Sequence, residues 1–99
     1  MNGVGKVAFR LTAGDEAEAV ASVLETQYPE ATIARFPAYI SVECPRRLRV
    51  DIPRVSEALG GDYDVTRFLV IMSSYVGTIT VNDDNVELVN DSVSTVDSA

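Results

Sequence analysis

The stretch from residue 35 to residue 51 constrains the fold more than any other part of this 99-residue chain. Between Pro37 and Pro45, apolar and polar residues alternate with a period of two, which is typical of a β-strand that has one face in a core. The apolar positions are Ala38, Ile40, Val42 and Cys44, and the polar positions are Tyr39, Ser41 and Glu43. Because proline cannot donate a ladder hydrogen bond, Pro37 predicts the first position of the strand and Pro45 predicts a stop or a bulge.

The residues before this strand predict a first strand, a helix and a second, short strand. Apolar and polar residues alternate from Lys6 to Thr12, which predicts the first strand. Thr12 and Asp15 have the spacing of a capping box, and we predict a helix that begins there and ends by about Gln27. Its apolar stripe predicts a face packed on a sheet and consists of Ala17, Val20, Ala21, Leu24 and Tyr28. Residues 31–35 predict the short strand.

The residues after the central strand predict a second helix and three more strands. An extended run ends at Asp51, a favourable N-cap, and the following apolar stripe predicts a helix over 52–59 that is closed by Gly60. Residues 65–75 contain the apolar run 68–72, which predicts a central strand covered on both faces. A strand at 78–81, a turn at 82–85 and a last strand with Val86 and Leu88 complete the prediction.

The order of these elements predicts the fold class. Strand, helix and hairpin occur twice, so we expect an α+β fold in which two β-α-β-β units form a mixed, mostly antiparallel sheet with two helices packed against it. We expect a flexible N-terminus at 1–5, a single domain at 6–90 and a disordered tail at 91–99, because the tail is small and polar.

The composition argues against several classes of function. A formal charge of −7 argues against nucleic acid, since contacts of Lys and Arg with phosphates supply most of such affinity. The chain has no histidine, so it offers no imidazole base or imidazole metal ligand, and we predict no cofactor. Cys44 is the single cysteine and is predicted to be a small buried hydrophobe. No apolar run reaches the roughly 18 residues that span a membrane, and we expect a cytoplasmic protein.

Three clusters of charge remain as candidate sites. Asp62 with Asp64, and Asp83 with Asp84, could act as acid–base or metal-binding pairs. Both pairs lie where turns favour aspartate, and we predict that these residues stabilise turns. The third cluster is Arg46, Arg47 and Arg49, three of only eight basic residues. These arginines could bind an anionic ligand or a protein partner, or they could protect a strand edge from aggregation. The residues alone favour protection of the edge.

The order of short motifs along the chain resembles a known family. The motifs are Tyr28-Pro29, Phe36-Pro37-Ala38, Glu43-Cys44-Pro45, Leu59-Gly60, Ser73-Ser74-Tyr75-Val76-Gly77 and Asp83-Asp84. In this order and spacing, over residues 6 to 90, the sequence resembles the effector proteins of bacterial multicomponent diiron monooxygenases, the MmoB/DmpM family. Each motif consists of common turn and strand residues, so the resemblance depends on the full length.

The resemblance implies a regulatory function without catalysis. Such a protein binds the diiron-bearing large subunit of a hydroxylase, alters access to the iron site and couples NADH use to substrate oxidation. The iron belongs to the hydroxylase, and the free effector is expected to be a monomer. With the resemblance, partner contact becomes the preferred role of the arginines. The predicted partner-binding residues are Phe36, Arg46, Arg47, Arg49, Ser73, Ser74 and Tyr75. In the resembled family, effectors of methane-oxidising systems have a long N-terminal extension. Only a few residues precede the first strand here, so the resemblance points away from methane systems.

Two other hypotheses compete with this one. A small regulatory module could bind an anionic ligand through the cluster Arg46 to Arg49. An acylphosphatase-like hydrolase would need an arginine in a phosphate-binding loop, but the loop after the first strand, residues 12–15, contains no arginine. The ligand-binding module is therefore the main alternative.

Overall fold

The computed structural model describes residues 5–90, which form three helices and seven strands. The predicted tail at 91–99 and all but the last residue of the predicted N-terminal segment lie outside the described residues. The helices are α1 (Asp15–Gln27), α2 (Ile52–Leu59) and α3 (Val65–Ile71). The strands are β1 (Lys6–Thr12), β2 (Thr32–Arg35), β3 (Tyr39–Pro45), β4 (Arg47–Asp51), β5 (Met72–Val76), β6 (Thr78–Val81) and β7 (Asn85–Val89).

The described strands form two antiparallel sheets. The four-stranded sheet has the order β2-β3-β1-β5, and the three-stranded sheet has the order β4-β7-β6. The α+β class with helices packed on antiparallel strands is confirmed. The prediction of one mixed sheet with two helices is wrong in detail, because residues 5–90 contain two sheets and a third helix.

Strands β1 and β3 build the core from the predicted alternation. Their register pairs Val7 with Cys44 and Phe9 with Val42, and all four side chains are buried. The buried stripe of α1 packs in the same core, as do α2 and α3. Burying a Val, Leu, Ile or Phe side chain contributes about 1.5–3 kcal/mol to stability, so this layer dominates folding. Polar residues at the alternate strand positions therefore point away from the helices, on what we call the outer face of the sheet.

The predicted central strand over 65–75 is wrong for its first seven residues, which form α3. The Asp64 side chain accepts a hydrogen bond from the backbone N–H of Arg67 at 2.9 Å and caps the helix. Val65 and Phe68, three residues apart, are buried, whereas Val70 is 78% exposed, so the burial follows a helical period. Phe68 packs edge to face on Phe9, with ring centroids 5.8 Å apart.

The chain passes from one sheet to the other at two residues with positive φ. Arg46 has φ 68° between β3 and β4, and Gly77 has φ 124° between β5 and β6. The ends of the fold meet Arg46: its backbone N–H donates to the Gly5 carbonyl at 2.9 Å, and its carbonyl accepts from the backbone N–H of Asn90 at 2.7 Å. The Asn90 side-chain amide also donates to the Lys6 carbonyl at 2.9 Å. These hydrogen bonds link the start of β1, the β3–β4 connection and the residue after β7, so they hold the two sheets together.

Replacing Gly77 by alanine should destabilise the protein by about 2 kcal/mol. An alanine Cβ there would lie 3.0 Å from Cγ1 of Val7 and 3.2 Å from the Val89 carbonyl oxygen, at a φ that favours glycine. Urea denaturation followed by circular dichroism measures the change. Gly61→Ala is the matched control, because no heavy atom lies within 4 Å of its added Cβ and its φ is not positive. Equal midpoints for the two variants would contradict this account.

Asp64→Ala should destabilise the protein by about 1 kcal/mol through loss of the α3 cap. The capping bond to Arg67 is lost, and the first-turn N–H group has no substitute acceptor on an alanine side chain. Thermal unfolding compares this variant with Asp83→Ala, which removes an exposed aspartate from a turn. If both variants melt with the same midpoint, the Asp64 cap contributes nothing measurable.

Candidate partner-binding surface

The predicted site residues divide between the two sheets. Phe36, Ser73, Ser74 and Tyr75 belong to the four-stranded sheet and its connections, whereas Arg47 and Arg49 lie on β4 of the three-stranded sheet. Arg46 lies between the two sheets. The structure therefore brings the seven residues to two neighbouring surfaces rather than to one.

Phe36 and Ser74 lie on the outer side of the four-stranded sheet together with Arg10 and Tyr39. The Phe36 ring stacks on Tyr39 with centroids 4.7 Å apart and an interplanar angle of 26°. The Arg10 guanidinium lies 4.8 Å from the centroid of the Tyr39 ring, and Arg10 pairs in register with Ser74 on β5. An exposed phenylalanine and a half-buried tyrosine thus meet a cation, which is a composition found in protein interfaces.

Ser73 and Tyr75 have different positions from Ser74, although all three lie on β5. The register shifts between Arg10 and Leu11, and the Ser73 hydroxyl at this irregularity donates to the Arg10 carbonyl at 3.4 Å. Tyr75 pairs with Phe9, whose side chain points to the core, but Tyr75 is 46% exposed because β5 is at the edge of the sheet. The tyrosine is therefore accessible at this edge.

Arg47 and Arg49 lie on an edge strand of the three-stranded sheet, and Arg46 directly precedes that strand. Arg47 and Arg49 alternate with buried Leu48 and Val50, so both face outward on β4. Arg47 forms an ion pair with Glu87 of β7 at 3.5 Å, and Arg49 is the register partner of the same glutamate. A pair this exposed contributes little to stability, so it leaves the arginines available to a partner.

Arg10 and Tyr39 are candidate site residues that the sequence interpretation did not single out. The alternating pattern placed both residues at polar positions of strands, which was the only sequence signal that they lie on the outer face. Their proximity depends on the pairing of β1 with β3, in which Arg10 lies opposite Ser41 and Tyr39 lies opposite Thr12. A single sequence does not contain this register.

The aspartate pairs have structural roles. Asp64 caps α3, and the Asp62 carbonyl accepts a hydrogen bond from the Arg67 guanidinium at 2.8 Å. Asp84 accepts from the side-chain amide of Asn85 at 2.9 Å, and its carbonyl accepts from the Ile52 backbone at 3.0 Å. These hydrogen bonds agree with the prediction that the aspartates stabilise local structure. Among residues 5–90, no group of three or more histidine, cysteine or acidic residues could hold a metal ion.

Cys44 is buried, as its alternating pattern predicted. Burial raises the pKa of its thiol, and the negative charge of Glu30 adds to this effect. A thiol with a raised pKa carries little thiolate at neutral pH and reacts slowly. Within the described part of the chain, no helix is long and apolar enough to cross a membrane.

Charge is distributed unequally between the sheets and the rest of the molecule. The outward positions of the strands, with Arg46, carry five cations and three carboxylates. The cations are Lys6, Arg10, Arg46, Arg47 and Arg49, and the carboxylates are Glu43, Asp51 and Glu87. The rest of residues 5–90 carries three cations and ten carboxylates, and those carboxylates lie in helices and connecting segments. An acidic protein therefore has a cationic side.

The fold and this surface define a class: a small α+β protein with a cationic, aromatic-bearing sheet side suited to contact with another protein. Residues 5–89 match the model of the MmoB/DmpM family, and the chain belongs to that family. No curated protein matches the chain significantly.

Solved structures share this fold. The chain is 26% identical to a chain in a structure of the phenol hydroxylase–regulatory protein complex, with a TM-score of 0.77, and the match covers 86% of this chain and 98% of that chain. A second structure of such a complex gives 25% identity, a TM-score of 0.73 and coverages of 86% and 99%. The soluble methane monooxygenase regulatory protein B shares the fold at 21% identity and a TM-score of 0.66, with coverages of 86% and 64%.

The contact between Arg10 and Tyr39 should have a measurable coupling energy of about 0.5 kcal/mol. A double-mutant cycle with Arg10→Met and Tyr39→Leu measures it by urea denaturation, because each single change removes one partner and keeps an apolar side chain. Arg49 and Tyr39 lie on different sheets and supply the control cycle, in which the effects should add. A coupling energy of zero for Arg10 and Tyr39 would show that the contact is absent in solution.

Proposed function

We propose that this protein is the effector component of a multicomponent diiron monooxygenase. It acts without catalytic residues of its own, docks on the hydroxylase component and regulates substrate oxidation and its coupling to NADH use. The observation that carries the proposal is the family match over residues 5–89, together with the likeness to a chain of a phenol hydroxylase–regulatory protein complex. That likeness covers 86% of this chain and 98% of the other chain. A cytoplasmic location and a monomeric free form complete the proposal.

Regulation of this kind requires unequal affinity for two hydroxylase conformations. An effector that bound the resting and the active conformation equally would change neither population. Moving a two-state equilibrium from 1:99 to 99:1 needs about 5.5 kcal/mol of differential binding. The effector must therefore present a surface that fits the active conformation much better than the resting one. The proposal assigns the iron site to the hydroxylase, and a chain without histidine fits this assignment.

The proposed contact residues lie on the cationic sheet side of the protein. They comprise the seven predicted residues, Phe36, Arg46, Arg47, Arg49, Ser73, Ser74 and Tyr75, together with Arg10 and Tyr39. Aromatic side chains and arginines contribute most of the binding energy in many protein interfaces, and this surface has both. The outward arginines keep their guanidinium forks near solvent, where a partner carboxylate can accept two hydrogen bonds.

The ligand-sensor alternative gains no support from the position of the arginines. A groove of about 340 Å³ lies between α1 and α2, and a second depression of about 180 Å³ lies at the start of α1. Neither is lined by Arg46, Arg47 or Arg49. An anion bound by these arginines would therefore lie on the surface at the edge strand β4 and not in either of these two depressions.

Reconstitution with the hydroxylase and reductase from the same gene cluster tests the function. Product formed per NADH consumed should rise to a maximum near stoichiometric addition of this protein. Arg47→Ala and Tyr75→Ala should each raise the concentration needed for half-maximal effect about fivefold, since each removes a contact worth about 1 kcal/mol.

Arg54→Ala is the matched control for these variants. Arg54 is also exposed and ion-paired, to Asp51 at 3.5 Å, but it lies on α2. This variant should stimulate the hydroxylase like the unchanged protein. If the unchanged protein alters neither rate nor coupling at any ratio, the proposed function is wrong.

A further inference from the structure

The outer face of the four-stranded sheet contains a cavity centred on Ala8. Ala8 lies in the middle of β1, and its register partners are Glu43 on β3 and Val76 on β5. Arg10 and Ser74 form the next row of the same face. The cavity has a volume of about 270 Å³, and its lining is Ala8, Phe9, Arg10, Glu43, Ser74, Tyr75 and Val76.

The small side chain at position 8 creates this cavity. Strand positions favour β-branched and aromatic residues, and alanine is depleted there. The neighbouring Val76 pairs with Ala8 and is 60% exposed, so an apolar side chain borders the opening on the β5 side. A pocket that becomes desolvated when a partner covers it is the setting in which a single partner side chain contributes most to affinity.

The size of the cavity favours one side chain as its occupant. Small-molecule sites usually have about 300–1,000 Å³ and bury most of the ligand, whereas this cavity is smaller and open to solvent on a sheet face. A leucine, methionine or phenylalanine side chain fits its apolar floor and wall. The cavity therefore suits an anchor residue presented by another protein.

The charges around the cavity favour an acidic segment as the carrier of that anchor. Arg10 lines one end, and at the other end Lys6 forms an ion pair with Glu43 at 3.4 Å. The Arg10 guanidinium carbon lies 4.8 Å from the centroid of the Tyr39 ring, and Arg10 is exposed, so a partner carboxylate can reach its N–H donors. The acidic helical side of the molecule repels such a segment, and the sheet side attracts it.

We infer that the cavity over Ala8 receives an apolar anchor side chain from an acidic segment of the hydroxylase, with a neighbouring carboxylate of that segment bound by Arg10. This inference rests on the proposed function and specifies its contact. In this inference the centre of the interface lies on β1 and β5, and the arginines of β4 lie at its rim. Filling the cavity should therefore impair docking while the fold is kept.

Ala8→Leu tests the anchor, because leucine would occupy the cavity from within. Ala8 is half-buried on the outer face, away from the core, and unchanged urea and thermal midpoints would verify the fold. Binding of each variant to the purified hydroxylase is measured by calorimetry. The dissociation constant should rise at least tenfold. Ala58→Leu makes the same substitution in the groove between α1 and α2 and should bind like the unchanged protein.

Arg10→Glu tests the acidic carrier independently. Charge reversal should weaken binding at least tenfold at low salt, and the difference from the unchanged protein should shrink as the salt concentration rises. Glu25→Lys is the matched control, since it reverses an exposed charge on α1 and should not weaken binding.

The outcomes separate this inference from the proposed function. If the unchanged protein neither binds nor stimulates the hydroxylase, the proposed function fails. If it does both, and Ala8→Leu binds equally well, the anchor cavity is not in the interface and only this inference is overturned. A thermal shift caused by acetate or phosphate and abolished in Ala8→Leu would assign the cavity to a small anion. A concentration-dependent dimer abolished in Ala8→Leu would assign it to a second copy.

Discussion

The pairing of β1 with β3 over seven residues is the constraint on which the rest of the structure depends. It sets Phe9 opposite Val42 in the core and Arg10 opposite Ser41 on the outer face. A slip of one residue would exchange the two faces of one strand, exposing its apolar residues and burying its polar ones. The same register places Ala8 beside Glu43 and brings Arg10 to the aromatic pair at the β2–β3 connection. Core packing and the proposed partner-binding surface thus depend on the same strand register.

The division into two sheets explains why the predicted site residues do not form one patch. At Arg46 and Gly77 the chain leaves the four-stranded sheet and enters the three-stranded one. The motifs that follow each other in sequence therefore lie on different surfaces. Glycine adopts positive φ at little cost, whereas an arginine there costs roughly 1–2 kcal/mol, which the hydrogen bonds of Arg46 to Gly5 and Asn90 offset.

Much of the fold could be predicted from the sequence, because periodicity directly reflects burial. The alternation in β1 and β3 and the stripe of α1 correctly identify most of the residues that point into the core. Ala38 is an exception, because β3 begins at Tyr39 rather than at Pro37 and Ala38 is exposed. The apolar run 68–72 failed as a guide, since a short run with no polar interruption has no period that separates helix from strand. The cap at Asp64 was the missed signal. The contact of Arg10 with Tyr39 needed the strand register, which sequence pattern alone does not determine.

The unequal distribution of charge between sheets and helices gives the molecule an electric dipole. In the field of an acidic partner surface, a dipolar protein turns its cationic side forward before any contact forms. Such orientation raises the fraction of productive collisions, so the association rate rises at low ionic strength and salt reduces it. If the sheet side is the docking side, as proposed above, the acidic helices contribute to recognition of the hydroxylase from a distance without touching it.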